Sequence, residues 1–232
     1  MCPTPSHRWT LSAPLAALAL MLLTWAAPAA SAQLQITDAA TGVPLSEAVV
    51  EIYAPSSAGA TRAAAGGYQV VQRHATFIPH VLLIPVGAEV SFPNRDTTRH
   101  QVYSFSPAHP FSLDLYLQET PPPERFDHAG VVVLGCNIHD AMEAFIVVSD
   151  APYRTLTGDD GRAVFDLPPG QHRLRVWHPR LEDTHLEWWE GEIVADQSRE
   201  VALTLAASLP PVPAPSALQQ RFQRALEQTQ AN

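Results

Sequence analysis

Alternating apolar and polar residues, broken repeatedly by Gly, Pro, Asn and Asp, dominate this chain. That period belongs to half-buried β-strands. Residues 33–55 read as two strands around the turn Thr41-Gly42-Val43-Pro44: Leu34-Gln35-Ile36 and Ala48-Val49-Val50-Glu51-Ile52-Tyr53. Residues 56–67 are Ser, Ala and Gly, a loop composition. Further strands are predicted at Tyr68–Val71, His80–Ile84, Val90–Phe92 and Gln101–Phe105. Val131-Val132-Val133-Leu134 is apolar without a break, which predicts a strand covered on both faces, and Ala144–Val148 pairs naturally with it across a short loop. After Ala151 the pattern restarts: Arg162–Phe165, His172–Trp177, Ile193-Val194 and Val201–Leu205, punctuated by Gly158-Asp159-Asp160-Gly161 and Leu167-Pro168-Pro169-Gly170.

These elements predict an all-β protein with two units, 33–150 and 151–207, in which 33–55 is compatible with either. The second unit alone is near the lower limit for an independent core and is expected to lean on the first. Residues 208–232 open with a Pro/Ala linker. Leu218, Phe222, Ala225, Leu226 and Thr229 then fall at helical spacing behind a Ser216 cap, predicting a short amphipathic helix.

The ends of the chain change how its composition is read. Arg8 precedes the apolar run Leu11 to Ala27, and Ala30-Ser31-Ala32 supplies a small-x-small cleavage site. Residues 1–32 are therefore expected to be a secretory signal peptide cut after Ala32, with the mature protein in the periplasm and without stable membrane insertion. The whole chain of 232 residues carries 14 basic and 23 acidic side chains, net charge -9, and every basic residue is arginine. Lysine-based covalent chemistry is excluded. The acidic balance argues against nucleic acid as a partner. Two cysteines and three methionines are present, but the leader holds Cys2, Met1 and Met21. The mature chain keeps only Cys136 and Met142, so it has no internal disulfide, and its thiol is expected to ligate metal, react, or bridge chains.

Both sulfurs fall in Gly135-Cys136-Asn137-Ile138-His139-Asp140-Ala141-Met142, a Cys-x2-His-x2-Met pattern between two predicted strands. A tight loop lets three side chains converge, and thiolate, imidazole and thioether form a soft donor set suited to copper. One more imidazole is needed. His100 is the best candidate, because Phe92-Pro93-Asn94-Arg95-Asp96-Thr97-Thr98-Arg99-His100 reads as strand, turn and a histidine opening the next strand. Glu143, beside Met142, is an alternative hard axial ligand. The other histidines show no ligand spacing; His178 is expected to be packed or between units, and His80 keeps a supporting role open. No Gly-x-Ser-x-Gly elbow or Gly-rich phosphate loop is present.

The segment resembles the cupredoxins, the blue copper proteins, with an amicyanin-like loop. Phe92-Pro93-Asn94, Val102-Tyr103-Ser104-Phe105-Ser106, Phe126-Asp127 and Gly135–Asp140 are similar to the methylamine-utilisation protein L type of cupredoxin over roughly residues 75–150. The resemblance implies a Greek-key β-sandwich holding one type 1 copper ion, with His100, Cys136 and His139 equatorial and Met142 axial. It also implies a link to amine oxidation. Two positions depart from the pattern: Gln101 replaces an Asn that usually holds the Cys-bearing loop, and Ile138 replaces a Pro. Residues 151–207 resemble a carboxypeptidase-regulatory-like or transthyretin-like β module through Thr157–Gly161, Phe165–Gly170 and Leu174–Pro179.

The expected function is single-electron transfer between redox partners such as a c-type cytochrome or an amine-oxidising enzyme, the acidic surface favouring a basic partner. Four protein ligands would leave no open position for a substrate, so no enzyme activity is expected. A copper chaperone or store would use the same ligands but is usually marked by Met/His-rich segments. A non-redox accessory protein with a partner-binding β module is the remaining alternative, and failure to hold copper would favour it.

Overall fold

The computed structural model describes residues 30–54 and 67–206. Residues 1–29 of the expected leader, residues 55–66, which hold all but the last residue of the loop expected at 56–67, and the expected linker and helix after 206 lie outside the described residues. Among the described residues all regular structure is β.

The strands follow the period-two runs closely. The first segment holds β1 (Ala30–Asp38) and β2 (Val49–Tyr53). The middle segment holds β3 (Tyr68–Gln69), β4 (Val71–Gln72), β5 (Phe77–Ile78), β6 (Val81–Pro85), β7 (Ala88–Ser91), β8 (Tyr103–Ser104), β9 (Phe111–Ser112), β10 (Glu124–Phe126), β11 (Gly130–Gly135) and β12 (Glu143–Ser149). The last segment holds β13 (Tyr153–Leu156), β14 (Arg162–Leu167), β15 (Gln171–Trp177), β16 (Trp189–Val194) and β17 (Ser198–Leu203).

Ladders sort these strands into two sandwiches. The middle segment forms a five-stranded sheet, β6-β12-β11-β8-β9, and a three-stranded sheet, β10-β7-β3, with β4 and β5 as a small side ribbon. The first and last segments together form the other pair, β13-β2-β15-β16 and β14-β1-β17. The residues left open by sequence, 33–55, thus pair with strands after Ala151: Ile52 opposes Tyr153 and Leu174, and Ile36 opposes Val201. The second sandwich reaches a workable core because it recruits these two N-terminal strands, one into each of its sheets. β1 begins at Ala30 and so spans the expected cleavage position; the part beyond that position, Gln33–Asp38, is the part laddered to β17.

Three apolar layers hold four sheets together. Phe92, Phe126, Leu134, Ala144 and Ile146 fill the first sandwich, and Ile36, Val50, Ile52, Phe165, Leu174 and Val176 fill the second. Between the sandwiches lies a seam of Val49, Val81, Val131, Phe145, Val147, Trp177 and Leu181. β12 serves two layers by strand alternation: Ala144, Ile146 and Val148 point one way, Phe145 and Val147 the other. β11 does the same, with Val132 and Leu134 inward and Val131 in the seam, as its unbroken apolar run predicts. Phe145 meets Trp177 edge-on, centroids 5.4 Å apart. The seam also encloses an ion pair. Glu51 on β2 is buried, accepts from Arg175 on β15 at 3.2 Å and from the Tyr53 hydroxyl at 3.1 Å, while the Arg175 guanidinium lies 4.0 Å over Trp188. No helix among the described residues is long and apolar enough to cross a membrane.

Candidate metal centre

The hairpin between β11 and β12 builds the centre. Gly135 opposes Glu143 and closes the ladder, so Cys136 is the first residue of the loop and Met142 the last. Within it the Met142 N–H donates to the His139 carbonyl at 3.0 Å, folding the loop back on itself. Cys136 and Met142 are both buried in the first sandwich's core cluster, while Asn137 and Ile138 are exposed and His139 is half-buried.

His100 arrives from the opposite side. It is fully buried and bridges Tyr116 by a pair of backbone hydrogen bonds of 3.1 and 3.0 Å. Its Nδ1 lies 3.2 Å from His139 Nδ1 and 4.0 Å from Cys136 Sγ; Cys136 Sγ is 3.8 Å from His139 Nδ1. Two ring nitrogens and one sulfur thus converge on one point, all within 4.8 Å of one another. This is the one cluster of its kind among the described residues.

The far side of His100 explains which nitrogen faces that point. Its Nε2 sits 3.0 Å from Asp96 Oδ2 and 3.2 Å from Thr98 Oγ1. A carboxylate only accepts, so Nε2 carries the proton and Nδ1 keeps its lone pair for a ligand. The Asp96 carboxyl is held down at about 2, first by the Ala75 N–H at 2.8 Å, then by His100 and the Thr97 N–H. Asp96 is in turn placed by Asn94, whose Oδ1 accepts from the Asp96 N–H at 2.8 Å. The buried Asn94 amide also donates to the Thr98 and Tyr116 carbonyls at 3.0 and 2.8 Å.

Behind these lies a second buried set. The Tyr116 hydroxyl donates to the Phe92 carbonyl at 2.6 Å, and Gln72 Nε2 donates to that carbonyl at 3.0 Å and to the Tyr116 oxygen. Burial is the main force that pushes the Tyr116 phenol up to about 12, and the nearby Cys136 adds to it. On the other flank, Tyr103 pairs with Gly135, and a Cβ at Gly135 would lie 2.8 Å from its ring.

Sequence reasoning singled out His100, Cys136, His139 and Met142; the first three converge and the fourth is buried in the same core cluster as Cys136. Glu143 is exposed at the start of β12 and lies outside the cluster. Gln101 turns away to Ser112 Oγ at 3.0 Å, and Asn94 ties the His100 segment together instead. Sequence reasoning missed Asp96, Asn94, Tyr116 and Gln72 as supports. The Asn-x-Asp turn carried a signal for the first two, because short polar side chains there bond the backbone two residues on. Nothing local marks Tyr116 or Gln72. Of the remaining histidines, His178 is buried at the seam and His80 contacts Glu47 at 3.0 Å, so each serves packing between the sandwiches. His109 stacks on Phe126 at 4.4 Å, and the buried His172 bonds the Pro168 carbonyl at 2.8 Å. His74, His128 and His185 are exposed.

No protein-family model matches the chain, and no curated protein matches it. Solved structures similar to it are copper proteins. A reduced Cu(I) form of an amicyanin mutant is 24% identical, the match covering 43% of this chain and 98% of that one, with a TM-score of 0.34. A purple cupredoxin from Nitrosopumilus maritimus is 21% identical over 35% of this chain and 99% of its own, with a TM-score of 0.31. A copper-containing nitrite reductase from Thermus scotoductus is 26% identical over 47% of this chain and 27% of its own, with a TM-score of 0.35.

Proposed function

We propose that this chain is an exported type 1 copper protein that carries single electrons between redox partners. The observation that carries the reading is the convergence of His100 Nδ1, His139 Nδ1 and Cys136 Sγ at the end of one sandwich, with Met142 buried in the same core cluster as Cys136. The donor set fits copper: two imidazole nitrogens and a thiolate are its trigonal ligands, and a thioether its weak axial one. Met142, buried where Glu143 is exposed, would be the fourth residue to hold the ion. When bound, copper supplies a one-electron couple.

The chain's own residues do the rest. Asp96 fixes the tautomer of His100, and Asn94 fixes Asp96. β11 and β12 hold Cys136 and Met142 at the two ends of one short loop, so the donor positions are set by the fold and not by the ion. A preformed set changes little between oxidation states, which favours fast exchange and leaves no position for a substrate. Half-buried His139 brings one ligand to the surface, and the chain's acidic composition favours a basic partner such as a c-type cytochrome. The loop's likeness to methylamine-linked cupredoxins makes an amine-oxidising enzyme the electron source to try first. An accessory protein without redox duty is the competing reading.

The test is to add Cu(II) to purified protein lacking residues 1–32 and to record visible and electron paramagnetic resonance spectra. An intense blue thiolate-to-copper band with narrow hyperfine splitting is expected, and Cys136→Ser is expected to abolish it. Failure to hold copper would overturn the carrier reading in favour of the accessory protein.

A further inference from the structure

The centre has a second approach, on the Cys136 side away from His139. A cleft of about 370 Å³ opens there, with Cys136, Tyr103, Phe105, Asp140 and Glu143 from the first sandwich and His185 from the second. His185 belongs to the loop between β15 and β16, which the seam holds against the first sandwich. Trp177 Nε1 donates to the Thr184 carbonyl at 2.8 Å, Asp183 Oδ1 accepts from the His185 and Leu186 N–H groups, and Leu181 is buried.

Phe105 is 84% exposed, and its ring lies 5.1 Å from that of Tyr103, which in turn covers Gly135, the residue bonded to Cys136. With Tyr103, Phe105 gives the cleft an aromatic rim, the side-chain class enriched in protein interfaces. The surroundings set its partner's charge. The chain has no lysine, Asp140 and Glu143 line the cleft, and the loop that carries His185 holds Glu182, Asp183 and Glu187 with no arginine among residues 181–187.

We propose that this cleft, walled by both sandwiches, is the docking surface for a basic one-electron carrier protein. The proposal rests on the electron-carrier reading above. Phe105 supplies the apolar anchor, the carboxylates steer the partner, and the second sandwich contributes His185 at the edge of the contact. One electron passes between the Cys136 side of the centre and the partner's own redox group through Gly135, Tyr103 and Phe105. No bond is formed or broken and no proton moves.

The test uses the copper-loaded protein and a lysine-rich c-type cytochrome, with hexacyanoferrate(III) as a small oxidant that needs no docking. The bimolecular rate with the cytochrome should fall as ionic strength rises. Phe105→Ser should lower it about tenfold. His185→Arg should lower it roughly threefold and His185→Glu should raise it by a similar factor, since steering acts on the on-rate. Both positions are exposed, so the visible spectrum should stay unchanged, and the two His185 variants should affect hexacyanoferrate(III), an anion, in the opposite order to the cytochrome if at all. Cytochrome rates unmoved by all three variants but lowered by Ile138→Ser, beside His139, would overturn the proposal. A chain that holds no copper yet binds the cytochrome through Phe105 and His185 would keep the docking surface and overturn the carrier reading alone.

Discussion

At the scale of single residues, the centre depends on side chains that never reach the ligand point. Asn94 makes three hydrogen bonds in the turn before His100 and is fully buried. Asn94→Ala should therefore cost about 2–3 kcal/mol, near one for each lost bond. It should also broaden the resonance spectrum of the copper form as His100 loosens, which denaturant titration and spectroscopy would check together. Gly161 is fixed by the backbone: its φ is +69°, and an added Cβ would lie 2.6 Å from the Ile36 carbonyl oxygen. Gly161→Ala should cost roughly 1–3 kcal/mol and lower Tm without changing the spectrum of the centre. His178 sets a pH dependence. Burial first, then the charge of Arg180, pushes its pKa down to about 4, against about 6.5 in an unfolded chain. The unfolded state then binds more protons between those values, so stability should fall as pH drops from about 6.5 towards 4. Urea midpoints across that range should show the decline, and His178→Gln should flatten it.

At the scale of elements, β12 is the common wall of two cores. Phe145 faces the seam and Ile146 the first sandwich, so substitutions at adjacent positions report on different layers. Phe145→Ala should cost about 3–5 kcal/mol by opening a cavity against Trp177. Thermal unfolding would show whether both sandwiches melt together, as a shared strand requires. The ligand loop is also an element-scale feature. Its length is set by the Gly135–Glu143 closing pair, and that closure was legible in the sequence because an unbroken apolar run ended at Gly135 and another began at Ala144. The Tyr116 and Gln72 supports were not legible, since each acts across long stretches of chain that only the ladders bring together.

At the scale of the whole molecule, the first sandwich is inserted into the second between β2 and β13. Those strands are antiparallel neighbours with Ile52 opposite Tyr153, so the ends of the insertion meet. Replacing residues 55–150 with a short hairpin turn should leave a sandwich that still unfolds cooperatively. Its seam face, with Val49, Trp177 and Leu181, would be bare, so lower solubility than the full chain is expected on light scattering. Residues 67–150 alone should fare worse, because Val81, Val131, Phe145 and Val147 lose their cover.

The sequence by itself determined the all-β character, through period-two patterning, and most of the donor set, because Cys136, His139 and Met142 share one loop whose short span limits where they can point. It also narrowed the choice to His100, by placing a histidine at a strand start. Tertiary structure alone decided which strands the two N-terminal strands join, because alternation tells a strand which face is apolar and not which sheet will cover it. It decided the orientation of His100 through Asp96, and it turned Gln101 away from the centre. It also brought the second sandwich to the edge of the metal site, since a seam between sheets is written in two faces far apart in the chain and exists only once they meet.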